Sequence, residues 1–236
     1  MIRPLLIIRP EPGNASTAAR AKAFELDTRS MPLFAVRPIA WVPPDADPYV
    51  GVLFTSANAV RTAGPELTRY FHLPAFAVGG TTARLARDAG FTSVVEGESD
   101  VARLIGKIAT LGLHRLLHFC GTDVRSFDPF GIVIDRCIVY ASDAIEPSEE
   151  FATLLAENPV IMVHSPRAAA RLAELIESDA RTHIALAVIS KNAAEAAGQG
   201  PERPLACLGE GVLQQTHDKS GRGKTMGIRK TSQIAA

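Results

Sequence analysis

Apolar runs only a few residues long alternate with alanine-rich stretches along most of the chain. The apolar runs predict strands at 5–8, 33–36, 52–54, 75–78, 93–95, 115–119, 132–140, 160–163 and 184–189, with a further short one at 205–208. The intervening stretches predict helices at 17–24, 57–64, 82–89, 101–111, 168–176 and 192–197. Strands that are almost continuously apolar, separated by helices, mark a parallel sheet covered on both faces. The expected fold class is therefore α/β.

The pattern repeats. Val52-Leu53-Phe54-Thr55-Ser56-Ala57-Asn58 resembles Ile161-Met162-Val163-His164-Ser165-Pro166-Arg167, with the serines 109 positions apart. Ala77-Val78-Gly79-Gly80-Thr81-Thr82 resembles Ala187-Val188-Ile189-Ser190-Lys191-Asn192 at an offset of 110. Two matched units in one order suggest two similar α/β domains with parallel sheets flanked by helices. Pro38, Pro43, Pro44 and Pro48 break regular structure and mark one crossing between them. Residues 139–149, with Pro147, mark the second. The expected division is a discontinuous first domain, 1–37 with 141–236, and an inserted second domain, 38–140, joined by a two-stranded linker. Residues 215–236 carry little apolar periodicity and an excess of basic groups, so a disordered tail is expected there.

Composition narrows the function. The chain has 25 basic and 25 acidic residues and is 47% hydrophobic, which excludes wholesale disorder and speaks against a dedicated nucleic-acid binder. No apolar run is long enough to cross a membrane as a helix, and the first residues lack a signal peptide's pattern. Cys120, Cys137 and Cys207 form no Cys-x-x-Cys pair, which fits a reducing compartment. The expected location is the cytoplasm.

The usual catalytic constellations are missing from the sequence. There is no Gly-x-Ser-x-Gly elbow and no Gly-x-Gly-x-x-Gly after a strand. The six histidines lack metal-ligand spacing; His114 and His118, four apart, share a face only by strand periodicity. No metal site is expected. What recurs is a polar loop after an apolar strand: Thr55-Ser56-Ala57-Asn58, Gly79-Gly80-Thr81-Thr82, Cys120-Gly121-Thr122-Asp123, His164-Ser165-Pro166-Arg167 and Ser190-Lys191-Asn192. Ligands of doubly wound sheets bind outside the strands' carboxyl ends. Hydroxyl and amide side chains there serve equally as helix caps and as donors to an anion. Arg9, Arg125, Arg167 and Lys191 add cationic groups near the same ends, either as anion ligands or as solvated charges. Tyr140 ends a crossing strand, where it is either a packed residue or a proton donor.

The ordered segments Ile8-Arg9-Pro10, Phe54-Thr55-Ser56-Ala57-Asn58-Ala59-Val60, Val78-Gly79-x-x-Thr82-Ala83, Phe119-Cys120-Gly121, Val139-Tyr140 and His164-Ser165-Pro166 resemble the uroporphyrinogen-III synthase family over about residues 5–200. The resemblance implies two α/β domains on a two-stranded ladder, the first discontinuous. It implies a cofactor-independent lyase of haem biosynthesis acting on hydroxymethylbilane, a linear tetrapyrrole carrying acetate and propionate groups. Loss of the terminal hydroxyl gives an azafulvene, and closure through a spiro-pyrrolenine inverts the last pyrrole to give uroporphyrinogen III. Uncatalysed closure gives the uninverted isomer. Tyr140 falls on the tyrosine that helps the hydroxyl leave. Arg9, Thr55, Ser56, Asn58, Gly79, Thr82, Gly121, Ser165, Arg167 and Ser190 are the expected substrate-binding residues. Two departures stand out: Ser190-Lys191-Asn192-Ala193 replaces a Gly-x-Thr pattern, and a polar, basic stretch replaces a final amphipathic helix. Apart from the tetrapyrrole, the expected partner is the preceding pathway enzyme, in transient contact, with no nucleic acid or membrane; the chain is expected to be a monomer. The competing expectation is a two-domain small-anion binding protein without chemistry.

Overall fold

The apolar runs form two parallel-dominated sheets flanked by helices. The computed structural model describes residues 3–97, 100–177, 184–188, 191–197 and 206–207. In chain order the elements are β1 (Leu5–Ile7), α1 (Gly13–Lys22), β2 (Thr28–Ser30), β3 (Phe34–Pro38), β4 (Val52–Phe54), α2 (Ala57–Thr62), β5 (Ala75–Val78), α3 (Gly80–Ala89), β6 (Val94–Gly97), α4 (Val101–Thr110), β7 (Arg115–Gly121) and β8 (Val133–Ala144). They continue with α5 (Glu150–Ala156), β9 (Val160–Val163), α6 (Pro166–Leu175), β10 (Ala185–Val188), α7 (Lys191–Ala196) and β11 (Ala206–Cys207). A 3-10 turn, Pro65–Tyr70, separates α2 from β5.

The chain divides into two compact units, one made of Met1–Ala35 with Ala144–Ala236 and the other of Val36–Asp143. The first unit's sheet has the order β11-β10-β9-β1-β2; the second unit's has β3-β8-β7-β4-β5-β6. Within them, β1-β9-β10-β11 and β7-β4-β5-β6 are one arrangement used twice, each strand parallel to its neighbour. In both, successive strands are joined by a helix, α6 and α7 in one and α2 and α3 in the other.

Both faces of the second sheet are covered, which is why its central strands β4 and β5 are apolar at every position. Val52, Phe54 and Phe119 pack towards α2 and α3, with Ala59, Val60 and Ala86. Leu53, Phe76 and Leu116 face the other way, against Leu104, Ile105 and Ile108 of α4. In the first unit Leu6, Ile161 and Val188 pack with Phe151 of α5 and Ala168 and Leu172 of α6.

β3 and β8 are neighbours. Ile145 N–H donates to the Leu33 carbonyl (3.1 Å) and Ile39 N–H to the Val139 carbonyl (2.9 Å). Residue numbers rise along one strand as they fall along the other, so this pair is antiparallel. Arg37 and Asp143 form an ion pair across it.

The sequence reading starts α1 at residue 17, and the structure starts it at Gly13. Asn14 is 1% exposed; its amide donates to the Ile7 and Arg9 carbonyls and its Oδ1 accepts from Ser30. Those tertiary bonds hold a first turn that Gly13, Asn14 and Ser16 do not favour alone. Residues 215–236 lie outside the described residues.

Candidate functional site

In the second unit the strand ends expected to bind ligand lie in one row. Parallel pairing sets the C-terminal ends of β7, β4 and β5 side by side, at Gly121, Thr55 and Gly79, and brings Tyr140 level with Gly121. Tyr140 does not end its strand, as the sequence suggests, because β8 runs on to Ala144 through its pairing with β3. With about 4.8 Å between strands, the row spans roughly 14 Å. Gly121 pairs with Tyr140 just after a register shift, since Cys120 pairs with Ile138. A bulge of this kind re-aims a side chain. Here the Tyr140 ring lies against Gly121: a Cβ on Gly121 would come within 2.6 Å of the ring's Cζ. Thr122 N–H donates to the Tyr140 carbonyl at 3.1 Å, fixing the backbone on both sides of the contact.

The loop after β4 is held by local hydrogen bonds. Ser56 is the N-cap of α2, its Oγ accepting from Asn58 N–H at 3.2 Å. Asn58 Oδ1 accepts from Arg61, one turn on, at 3.1 Å. Thr55 Oγ1 lies 2.9 Å from His118 Nε2 on the neighbouring strand. The loop after β5 differs. Gly79, with φ +80°, is the N-cap of α3 and brings no side-chain acceptor. The first intrahelical bond runs from Ala83 to Gly79, so the amides of Gly80, Thr81 and Thr82 precede it. Glu96 of β6 stands beside this start, its Oε1 3.1 Å from where a Cβ on Gly80 would sit. The Thr82 side chain is 5% exposed and shares the inward face of α3 with Ala83 and Ala86.

In the first unit the corresponding ends are those of β1 and β9. Arg9, two residues past β1, lies across the start of α1. Its guanidinium occupies the space a Cβ on Gly13 would need, and its Nη1 donates to Thr17 Oγ1 at 3.3 Å. Ser165 caps α6, its Oγ accepting from Ala168 N–H at 3.1 Å, and Pro166 fills the first turn. Arg167 stacks on Phe34, its Cζ 4.6 Å from the ring centroid. Ser190 lies outside the described residues, as do the side chains of Lys191 and Asn192. Arg125 is exposed on the loop after β7.

Electrostatics decide what these groups do. Burial pushes the His118 imidazole down to about 4, with the charge of Arg136 acting the same way. Burial, followed by the charge of Arg9, pushes His164 down to about 4. Both are neutral near pH 7, so they supply hydrogen bonds and no charge. Burial pushes the Cys120 and Cys137 thiols up to about 11 and about 12, which removes them as nucleophiles near pH 7. His114 is exposed and His118 buried, so this pair shares no metal. Among the described residues no cluster of three His, Cys, Asp or Glu could hold a metal ion. No helix among them is long and apolar enough to cross a membrane.

Two residues at this row have a place at the site that the sequence reading did not give them: His118, weighed there only with His114 as a metal pair, and Arg61. His118 has a signal: it is the one polar residue in the run Leu116-Leu117-His118-Phe119. Arg61 has a weaker one, its position three after Asn58 on one helix face. It brings a positive charge next to the β4 loop, where burial and then Arg84 lower its pKa from the usual value.

Residues 15–203 match a family model described as uroporphyrinogen-III synthase HemD. Among solved structures, the uroporphyrinogen-III synthetase of Helicobacter pylori is similar at a TM-score of 0.55 and 18% identity, over 82% of this chain and 86% of that one. A mutant uroporphyrinogen III synthase of the extremely thermophilic bacterium Thermus thermophilus matches at a TM-score of 0.48 and 13% identity, over 82% and 87%. No curated protein matches this chain. At 18% identity the first of these structures speaks for the fold.

Proposed function

The chain belongs to the uroporphyrinogen-III synthase HemD family, and from that premise we propose that it closes hydroxymethylbilane to uroporphyrinogen III, inverting the last pyrrole ring as water is lost. The observation that carries this reading is the Tyr140 ring lying on Gly121, in line with the polar ends of β4 and β5. A phenol held level with the end of β7, in line with the polar ends of β4 and β5, suits protonation of a leaving hydroxyl. The Tyr140 O–H gives its proton to the departing oxygen as the carbon–oxygen bond breaks and water leaves; the resulting azafulvenium gives up its pyrrole N–H proton, which restores the phenol in net balance and leaves the electrophilic azafulvene.

The rest of the task is positioning. The substrate is a flexible chain bearing acetate and propionate groups, and its spontaneous closure gives the wrong isomer. Holding the reacting ends in one geometry is worth more than any single acid or base. Arg9 meets a carboxylate with a charged donor. Ser56, Asn58 and Ser165 fix the loops around the strand ends. The first-turn amides of α3, reached through the left-handed turn at Gly79, offer backbone donors, and Thr82 contributes through its amide rather than its buried hydroxyl. Gly121 admits the Tyr140 ring, and Arg167 keeps its charge near the β9 end by stacking on Phe34. The proposed reaction uses no cofactor.

The test is consumption of freshly prepared hydroxymethylbilane against its spontaneous rate. The protein should accelerate consumption, and Tyr140→Phe should lower kcat at least tenfold with KM within about twofold. No acceleration by the folded protein would contradict the assignment. An unchanged kcat in the variant would remove the role of Tyr140.

A further inference from the structure

His118 is fully buried in the middle of β7, opposite Leu53 of β4. Its Nε2 lies 2.9 Å from Thr55 Oγ1, its ring meets Phe127 edge-on at 5.9 Å between centroids, and its Nδ1 is buried without a hydrogen-bond partner among the described residues. A neutral imidazole has one N–H and one lone pair. A buried N–H left without an acceptor is costlier, and rarer in folded proteins, than a buried lone pair left without a donor. The proton therefore belongs on the nitrogen that has a partner, Nε2. Thr55 Oγ1 then accepts, and its own O–H has to be donated elsewhere. In the opposite tautomer Thr55 would donate to His118 and offer the strand end only lone pairs, which repel a carboxylate.

We propose that His118 is a positioning residue, held as its Nε2–H tautomer so that the half-buried Thr55 hydroxyl serves as a donor to a carboxylate of the substrate at the end of β4. The carboxylate rests on the substrate reading above; the direction of the His118–Thr55 bond does not. Because burial keeps the imidazole neutral near pH 7, with Arg136 as the charge acting on it, His118 contributes direction rather than charge. It does so from within the core and touches no substrate.

Two measurements test this. Nitrogen NMR of histidine-labelled wild-type protein near pH 7 should give His118 a protonated-type shift at Nε2 and an unprotonated-type shift at Nδ1; the reverse pattern overturns the proposal. Initial rates of hydroxymethylbilane consumption should be compared for wild type, Thr55→Val, His118→Gln, His118→Leu and the Thr55→Val/His118→Leu pair. His118→Leu should raise KM about fivefold to tenfold with kcat within twofold. His118→Gln, which keeps an N–H within reach of Thr55, should recover most of that. In the Thr55→Val background His118→Leu should add less than twofold. A glutamine variant no better than leucine, or a leucine effect undiminished without the threonine hydroxyl, overturns the proposal. If His118→Leu does not fold, the NMR pattern and the Gln and Val variants decide. A wild type that leaves hydroxymethylbilane untouched sinks the assigned reaction, and the NMR pattern alone then decides the hydrogen bond.

Discussion

At the scale of single residues, the tightest coupling at the candidate site is between a glycine and a ring. Gly121 is buried, and a methyl group there would meet the Tyr140 Cζ at 2.6 Å and its hydroxyl oxygen at 3.0 Å. Gly121→Ala must therefore displace the phenol or shift the strand. Overpacking of this kind costs about 1–3 kcal/mol. The variant should be less stable to denaturant by that amount and lose kcat as Tyr140→Phe does; a fully active Gly121→Ala would mean the ring position is irrelevant to turnover. Gly121 could be singled out from sequence by its place at a strand end, and Tyr140 by the end of the apolar run 132–140, although β8 itself continues to Ala144. Their contact could not, because it depends on a register shift between β7 and β8 that skips one residue. No local pattern encodes that shift.

At the scale of elements, the repeated strand-to-helix turn has a common chemistry. Ser56 and Ser165 stand at matched points of the repeat, and each caps the helix after its strand. Asp100 caps α4 in the same manner, accepting from Ala102 N–H at 2.9 Å, beyond the outermost strand of its sheet. Replacing any of these with alanine should cost about 1 kcal/mol of stability. Ser165→Ala should also raise KM for the acidic substrate, while Asp100→Ala should leave KM unchanged. Equal effects on KM would reduce Ser165 to a cap alone. The apolar strands β4, β5 and β9 were legible because both sheet faces are covered, which leaves unbroken apolar runs, and β7 was legible although His118 interrupts its run. β2 was not: Thr28, Arg29 and Ser30 contain no apolar residue, and the strand exists through backbone pairing with β1. α5, only Glu150–Ala156, buries just Phe151 and carries too short a period to be seen.

At the scale of the molecule, buried His118 and half-buried His164 make stability depend on pH. Their folded pKa values, about 4, lie below the ordinary 6.5. Between those values the unfolded chain takes up protons that the folded protein does not. Stability is then fully present above about pH 6.5 and is lost as pH falls towards 4, by up to roughly 3 kcal/mol per histidine. Melting temperatures from pH 8 to 4 should show this fall, and His118→Gln should remove about half of it. A flat profile would mean that the imidazoles are solvated in the folded state. The α/β class and the strand-end row of polar residues were legible in the sequence because short connections force the polar loops onto the strands' carboxyl ends. The partners of those residues were not, because His118 and Thr55, or Arg9 and Gly13, meet through sheet order and helix placement. The central claim is that this fold selects one closure of hydroxymethylbilane over another. The most direct measurement is the uroporphyrin isomer composition after brief incubation with fresh hydroxymethylbilane and oxidation of the products. The account predicts predominantly isomer III; isomer I alone, formed at the spontaneous rate in the presence of folded protein, would contradict it.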